Sequence, residues 1–322
     1  MKSNRRKKTN QEKLESQIRI IADKEGKNII NQLSKVNLEL GPKDVSYEPH
    51  TILKLAFLNY YLGVFLPIAA SGKKSGRHDK LIFIDAFGGG GLVGISNSNY
   101  SILGSTLLAA TADLRGCCFD EIITIEKDKE RADLMNKRCN ALGLNNVKVI
   151  NADVNDVIDS LPSSAGITNK SIIMLFIDPE GMEPEFSKFL TLSNTTDYID
   201  IILNYTFGVR RLSGRIEYNH NSADIAKMKK MIPNYTPGND PDERLANFFE
   251  EQFGKEEGMA VKIHSTGKRE QYSMILRVRR TFNGSTWVNA MEKFGEFITS
   301  IDGDYALQSL DIVMGKQLKL KF

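Results

Sequence analysis

The sequence predicts an α/β fold built on a doubly wound, mainly parallel sheet. Two observations carry that prediction. Between residues 81 and 203, short apolar runs of strand type alternate with longer amphipathic runs of helical period, the pattern of successive βαβ units. The first of these runs, Leu-Ile-Phe-Ile-Asp at 81–85, opens almost at once into four glycines, Gly88 to Gly91. Open sheets of this kind bind ligands at the carboxyl ends of their strands.

Ahead of the sheet, residues 11–36 carry Leu14, Ile18, Ile21, Ile29, Ile30 and Leu33 among charges, which reads as an amphipathic helix broken near Gly26. A turn-rich connector at 41–49 leads to a helix over 49–68. That helix is expected to end at Pro67 and at the polar loop 71–80. Strand 81–85 has four consecutive apolar residues and suits burial on both faces. The stretch 87–103, rich in Gly, Ser and Asn, reads as a long loop that orders over a bound substrate. A helix then opens at Gly104 or Ser105 and runs through Leu114. Strands at 121–125, 147–150, 172–177 and 198–203 alternate with helices at 129–142, 154–161 and 183–192. Residues 227–247 are largely polar and include Pro233, Pro237 and Pro241, so they read as an insertion of lid-like character. A strand pair at 262–265 and 271–279, a helix at 287–300 and a basic end at 316–322 complete the chain. Its expected organisation is a basic tail and helix over 1–48, then one sheet domain over 49–322 with a polar insertion near 225–250.

The chain's 322 residues are enough to bury a sizeable core, and 41% hydrophobic with 26% charged residues is an ordinary globular composition. Three cysteines, Cys117, Cys118 and Cys139, are too few for a disulfide framework and lack zinc-ligand spacing, so a cytoplasmic setting is expected and no metal. The longest apolar stretch, 55–70, is interrupted by Asn59, Gly63 and Pro67, and reads as no membrane span. Of the net charge of +3, Lys2, Arg5, Arg6, Lys7 and Lys8 supply five positive charges, leaving 38 basic against 40 acidic residues elsewhere. The body is therefore no general polyanion binder, whereas the tail is either a phosphate contact or a solvated end.

The glycine loop admits several readings. A phosphate-binding P-loop would end in Gly-Lys-Ser/Thr, but Leu92 and Val93 follow Gly91. Gly89, Gly91 and Gly94 satisfy the dinucleotide spacing G-x-G-x-x-G, yet a polar stretch follows instead of an apolar helix. A tight turn would not require four glycines. The fourth reading is the S-adenosylmethionine loop of a Rossmann-type methyltransferase, with Asp85 three positions before the glycines. Four acids in register support it: Asp85, Glu126, Asp153 and Asp178 fall at or just past the ends of four successive strands. Such a fold assigns Glu126 to the ribose hydroxyls, because an ionised carboxylate only accepts hydrogen bonds and can hold both. Asp153 would face the adenine edge, and Asp85, Phe87, Gly88 and Gly90 the rest of the cofactor. Any one of these acids could instead cap a helix; Asp128 and Asn155 are better placed for that.

Asp178-Pro179-Glu180-Gly181 is the candidate catalytic motif. It is similar to the Asp/Asn-Pro-Pro-aromatic motif of amino-group methyltransferases, in which the acid and the next carbonyl orient a target amine. Here Glu180 follows the proline, so the motif lacks the ring that a flipped base stacks on. The plainer reading is a strand-to-turn stop. Asn204, Arg210 and Arg211 follow the fifth strand, where the arginines would clamp a phosphate or carboxylate or form solvated ion pairs. His50 and Lys54 share a helix face, a pairing that by itself means little, and Lys54 is a further candidate substrate contact.

In order along the chain, seven segments resemble the three-Cys-motif partner protein (TcmP) family. They are HTILKLAFLNYYLGVFLPI at 50–68, FIDAFGGGG at 83–91, LGSTLLA at 103–109, IEKDKER at 125–131, FIDPEG at 176–181, ILNYTFGVRR at 202–211 and QYSMILRVRRTFNGSTWVNAM at 271–291. Two departures stand out: the family's Ala-Gly-Pro-Gly is Gly88 to Gly91 here, and its Asp-Pro-Phe-Gly is Asp178 to Gly181. The resemblance implies a fold similar to class I S-adenosylmethionine-dependent methyltransferases and a three-Cys-motif partner related to radical enzymes of the same cofactor. The expected function is methyl transfer to a nitrogen of a nucleic acid or protein. The alternatives are a non-catalytic partner subunit on a methyltransferase fold and, less favoured, a nicotinamide-dependent dehydrogenase.

Overall fold

The computed structural model describes residues 8–25, 27–42, 44–114, 116–255, 257–278 and 286–316. Most of the basic tail and of the basic carboxyl-terminal end lies outside the described residues, as does Gly26. The strands are β1 (Ser46–Tyr47), β2 (Leu81–Asp85), β3 (Leu92–Ile95), β4 (Ser101–Leu103), β5 (Glu121–Glu126), β6 (Val147–Asn151), β7 (Ile172–Ile177), β8 (Ile199–Thr206), β9 (Glu257–His264) and β10 (Glu270–Val278).

Seven of them form the main sheet in the order β6-β5-β2-β7-β8-β10-β9. The first five in that order run parallel, and β10 runs antiparallel to both β8 and β9. This is the doubly wound, mainly parallel sheet that the sequence predicts. Because the chain leaves β2 toward β5 on one side and later returns to β7 on the other, the order reverses at β2. The crevice beyond its carboxyl end is where such a sheet holds a ligand.

The period of two sorts each strand between two cores. Phe83, Met174 and Phe176 enter one, while Ile82, Ile84, Ile173, Leu175 and Ile177 enter the other. The first core is covered by α1 (Asn10–Ile21), α2 (Ile29–Ser34), α3 (Thr51–Lys74), α4 (Ser105–Thr111), α5 (Lys129–Ala141) and the last two helices, Thr286–Ser300 and Gly303–Val313. α1 starts cleanly because Thr9 and Glu12 cap each other's backbone N–H groups at 3.2 and 2.6 Å.

Several expectations are corrected. α3 does not stop at Pro67 but runs on to Lys74. Pro67 has no N–H to give to the Gly63 carbonyl, but both residues face solvent, so that carbonyl is not orphaned in the core, and Leu66 and Ala69 keep the buried stripe continuous. With a mean hydropathy of 1.6, α3 is long and apolar enough to cross a membrane, yet 72% of its most apolar stretch is buried inside the protein. The stretch 87–103 is not a long loop. It folds as a hairpin of β3 and β4 turned at Asn97, whose φ is 59°, and β1 adds to β3 as a third strand. The helix expected at 154–161 is split into Val154–Val157 and Leu161–Ser164, and that at 183–192 becomes a 3₁₀ turn, Phe186–Phe189, running into Leu190–Thr195.

The segment near 225–250 forms helices Ser222–Met231 and Pro241–Phe253, not a polar lid. Their Met228, Met231, Leu245, Phe248, Phe249 and Phe253 are buried in the second core. Prolines obscured this in the sequence, although Pro241 sits in the first turn of its helix, where a missing N–H costs nothing.

Candidate functional site

A cleft of about 340 Å³ opens beyond the carboxyl ends of β2, β5 and β7, where the topology reverses. Its floor is the glycine loop Gly88 to Gly91. Ile125, Glu126, Lys127, Ala152, Asp153 and Val154 line one end, and Asp178, Glu180, Lys54, Thr51 and Tyr47 the other.

The loop is shaped by contacts below it. Gly89 takes φ 62° and donates its N–H to Glu126 Oε2 at 2.9 Å. Gly88 lies so close to β5 that a Cβ there would stand 1.6 Å from Thr124 Oγ1. Gly90 is held from beneath by the fully buried guanidinium of Arg138, which donates to its carbonyl at 2.7 Å. The same guanidinium forks onto both carboxylate oxygens of Asp44, at 2.5 and 2.7 Å, and donates to the Leu38 and Glu39 carbonyls. The N-terminal segment is thereby tied under the loop.

Glu126 is buried at the end of β5. Besides Gly89, it accepts from the Asp128 N–H at 2.7 Å and pairs with Arg131 at 3.3 Å. A carboxylate offers about four lone-pair positions, so acceptor capacity remains for a ligand's hydroxyls. Asp153 also lines the cleft but is partly spent. It caps its short helix through the Asn155 N–H at 3.0 Å and pairs with Lys127 at 2.9 Å, and the Lys127 hydrogen bond holds its carboxyl below the usual range. Asp128 caps α5 as expected, by accepting from the Arg131 N–H, but Asn155 does not cap: its side-chain amide bonds Glu183 and Glu185.

Asp85 does not reach the cleft. It lies beneath Phe87 and accepts from Ser105 Oγ at 2.6 Å and Thr106 Oγ1 at 2.8 Å, which docks α4 against β2. Burial pushes its carboxyl up to about 6, against the lowering effect of those hydrogen bonds. Since the folded state then binds a proton that the unfolded chain has released, stability falls as pH rises from about 4 to about 6. Each pH unit in that window removes about 1.36 kcal/mol, so the whole loss is about 3 kcal/mol at most. Asp85→Asn, which removes the titration, is therefore expected to gain stability over the parent by about 2–3 kcal/mol between pH 4 and pH 7. Urea unfolding at the two pH values measures this, and an unchanged difference would sink it.

At the other end Asp178 accepts from Lys54 Nζ at 2.5 Å and from Asn204 Nδ2 at 2.7 Å. Pro179 and Gly181 shape the turn without lining the cleft, and the Gly181 N–H is held by Glu183 at 2.8 Å. Glu180, 69% exposed, meets Arg131 at 3.7 Å and the Tyr47 hydroxyl at 3.4 Å.

Arg210 and Arg211 do not line the cleft. Asn204 to Thr206 prolong β8, so the arginines fall one turn into the following helix, Phe207–Asn219. Arg210 donates to Asp242 at 2.7 and 3.0 Å and to Glu270 at 2.8 Å, and Arg211 lies over the Phe207 ring at 5.1 Å.

Tyr47, Thr51 and Glu183 were not singled out from the sequence, and Arg131 appeared only inside the IEKDKER segment. A lone tyrosine in a turn-rich connector has no local signal, whereas Arg131, one turn beyond the Asp128 cap, could have been found by asking what faces Glu126.

No family model matches the chain, and no curated protein does. The resemblance to the three-Cys-motif partner family therefore finds no support in these comparisons. Among solved structures, the chain is similar to Trm1 from Pyrococcus horikoshii, in complex with S-adenosyl-L-methionine, at 12% identity over 74% of this chain and 57% of that one, with a TM-score of 0.42. It is similar to the O-methyltransferase TomG from Streptomyces achromogenes, in complex with the same cofactor, at 14% identity over 79% and 88%, with a TM-score of 0.38. An O-methyltransferase from Bacillus cereus, in complex with S-adenosylhomocysteine, matches at 15% identity over 86% and 94%, with a TM-score of 0.37. The fold assignment itself rests on the strand order.

Proposed function

We propose that the protein is an S-adenosylmethionine-dependent methyltransferase whose cofactor lies along the glycine loop. The observation that carries this is Glu126, a buried carboxylate at the end of the strand beside β2, clamped to the loop and facing a cleft at the topological switch point. The residues fit the group: Glu126 would hold the ribose hydroxyls, Asp153 the adenine edge, Ile125 and Val154 the flat apolar face of the base, and Phe87 with Gly88 and Gly90 the remaining length. When bound, the cofactor would supply a methyl from a positively charged sulfur to the acceptor's lone pair and leave as the neutral thioether. Asp178, fixed by Lys54 and Asn204, orients the acceptor amine and takes the proton that nitrogen gives up.

Calorimetric titration with S-adenosylmethionine and S-adenosylhomocysteine, with nicotinamide dinucleotide as control, tests the reading. Glu126→Ala is expected to weaken S-adenosylmethionine by about 100-fold, since hydrogen bonds to a charged acceptor contribute about 1.5–3 kcal/mol each. Wild-type affinity in that variant would overturn the assignment. A folded parent that binds none of the three would instead favour a non-catalytic subunit, the role open to a chain paired with a three-Cys-motif protein.

A further inference from the structure

We propose that the acceptor seated at Asp178 is a nucleobase carrying an amidine edge, a ring nitrogen beside an exocyclic amine, stacked on Tyr47. The inference rests on the methyl-transfer reading above and names its substrate class.

Two independent placements support it. The first is the pair Lys54–Asp178, with a cationic donor and an anionic acceptor 2.5 Å apart on the wall of the cleft. Lys54 uses one of its three donors on Asp178, and the carboxylate keeps lone pairs beyond those given to Lys54 and Asn204. A donor beside an acceptor is matched by the reverse pair on a ligand. A ring nitrogen then accepts from the ammonium while the adjacent amine donates to the carboxylate. Adenine and cytosine present that pair on the edge that normally base-pairs, whereas thymine and uracil have no exocyclic amine. The same contact aims the amine lone pair away from Asp178.

The second is Tyr47. The Asp178–Gly181 motif has no ring of its own, but β1 brings one to it from far upstream. The Tyr47 ring lines the same cleft, 5.7 Å from Lys54 Nζ. It is fixed at both ends: its backbone pairs with Ile95 of β3, and its hydroxyl donates to Glu180 at 3.4 Å. Nearby Asp44 is locked to Arg138. A rigid aromatic face beside a donor–acceptor pair is what an unstacked base requires.

The test is fluorescence anisotropy with short labelled homopolymers of dA, dC and dT, and of A, C and U. Each is titrated with the full chain in the presence and absence of S-adenosylhomocysteine, followed by transfer of a tritiated methyl. The A and C oligomers are expected to bind about tenfold or more tightly than T or U and to take the label, with the two sugar series distinguishing DNA from RNA. Tyr47→Ala is expected to lose about tenfold or more of that binding, without an equal loss of S-adenosylhomocysteine, while Tyr47→Phe keeps it. Equal binding of all bases, no binding of A or C, or an indifferent Tyr47→Ala overturns the proposal. Base preference that persists while S-adenosylhomocysteine fails to bind would sink the cofactor reading and leave the base site standing.

Discussion

Replacing Arg138 by methionine is expected to destabilise the protein by about 3–5 kcal/mol. Its guanidinium is fully buried, and every N–H has a partner among Asp44 and the carbonyls of Leu38, Glu39 and Gly90. Methionine fills much of the volume but leaves the Asp44 carboxylate charged, buried and without its partner, together with three abandoned carbonyls. Lysine would not rescue it, because a single ammonium cannot reproduce the planar fork. Removing the second charge as well, in Asp44→Asn with Arg138→Met, is expected to recover part of the loss, since the uncompensated charge is the dominant cost. Urea unfolding of the three variants measures this. A single variant within about 1 kcal/mol of the parent would show that the pair anchors nothing. The functional consequence follows from the bond to Gly90: with that carbonyl released, cofactor affinity should fall even in the fraction that remains folded.

If the proposed cofactor lies along the glycine loop, Gly88→Ala is expected to weaken its binding on the order of 100-fold. The new Cβ would meet Thr124 Oγ1 at 1.6 Å and Thr124 Cβ at 3.1 Å. The loop can swing away only by giving up the bond of the Gly88 N–H to the Ile125 carbonyl at 2.9 Å and the grip of Glu126 on Gly89 next to it. Overpacking of this kind costs about 1–3 kcal/mol and is relieved by moving the backbone that forms the cleft floor. A loss of cofactor affinity on the order of 100-fold, about 2.8 kcal/mol, is therefore expected alongside a loss of stability of similar size. Thr124→Ala removes the clashing oxygen at the expense of one hydrogen bond to Thr106 at 3.0 Å. The double variant should then bind S-adenosylhomocysteine far better than Gly88→Ala alone. Failure of Thr124→Ala to rescue would place the defect elsewhere than in this contact.

Much of the frame was legible in the sequence. Strand Ile172–Ile177 lies where its apolar run placed it, and β2, β5 and β6 end within a residue of expectation. Glu126, Asp153 and Asp178 all line one cleft. Local chemistry explains both results. Strands buried on two faces are written as continuous apolar runs, and a polar residue marks the point where each leaves the core. Asp128 was readable as a cap for the same reason, since a cap acts on the N–H groups of its own first turn.

What failed was also physical. Pro67 reads as a helix stop, yet whether a lost hydrogen bond ends a helix depends on which side of it faces water. Glycine and serine in 87–103 read as loop, although a short hairpin needs few apolar residues when a third strand covers it. Arg210 read equally as a phosphate or carboxylate clamp and as an ion pair, and only the approach of Asp242 and Glu270 from other elements decides for the ion pair.

The alternation of strand and helix between β2 and β8, the parallel character of that part of the sheet and the acids at its strand ends were thus readable without the fold, because these depend on a residue and its near neighbours. The tertiary structure alone decided that Arg138 and Asp44 lock beneath Gly90, that Asp85 is buried against Ser105 and Thr106, and that Tyr47 reaches the end of the cleft that holds Asp178. Those contacts join residues far apart along the chain. No local period records them, because the strand order is what brings them within reach.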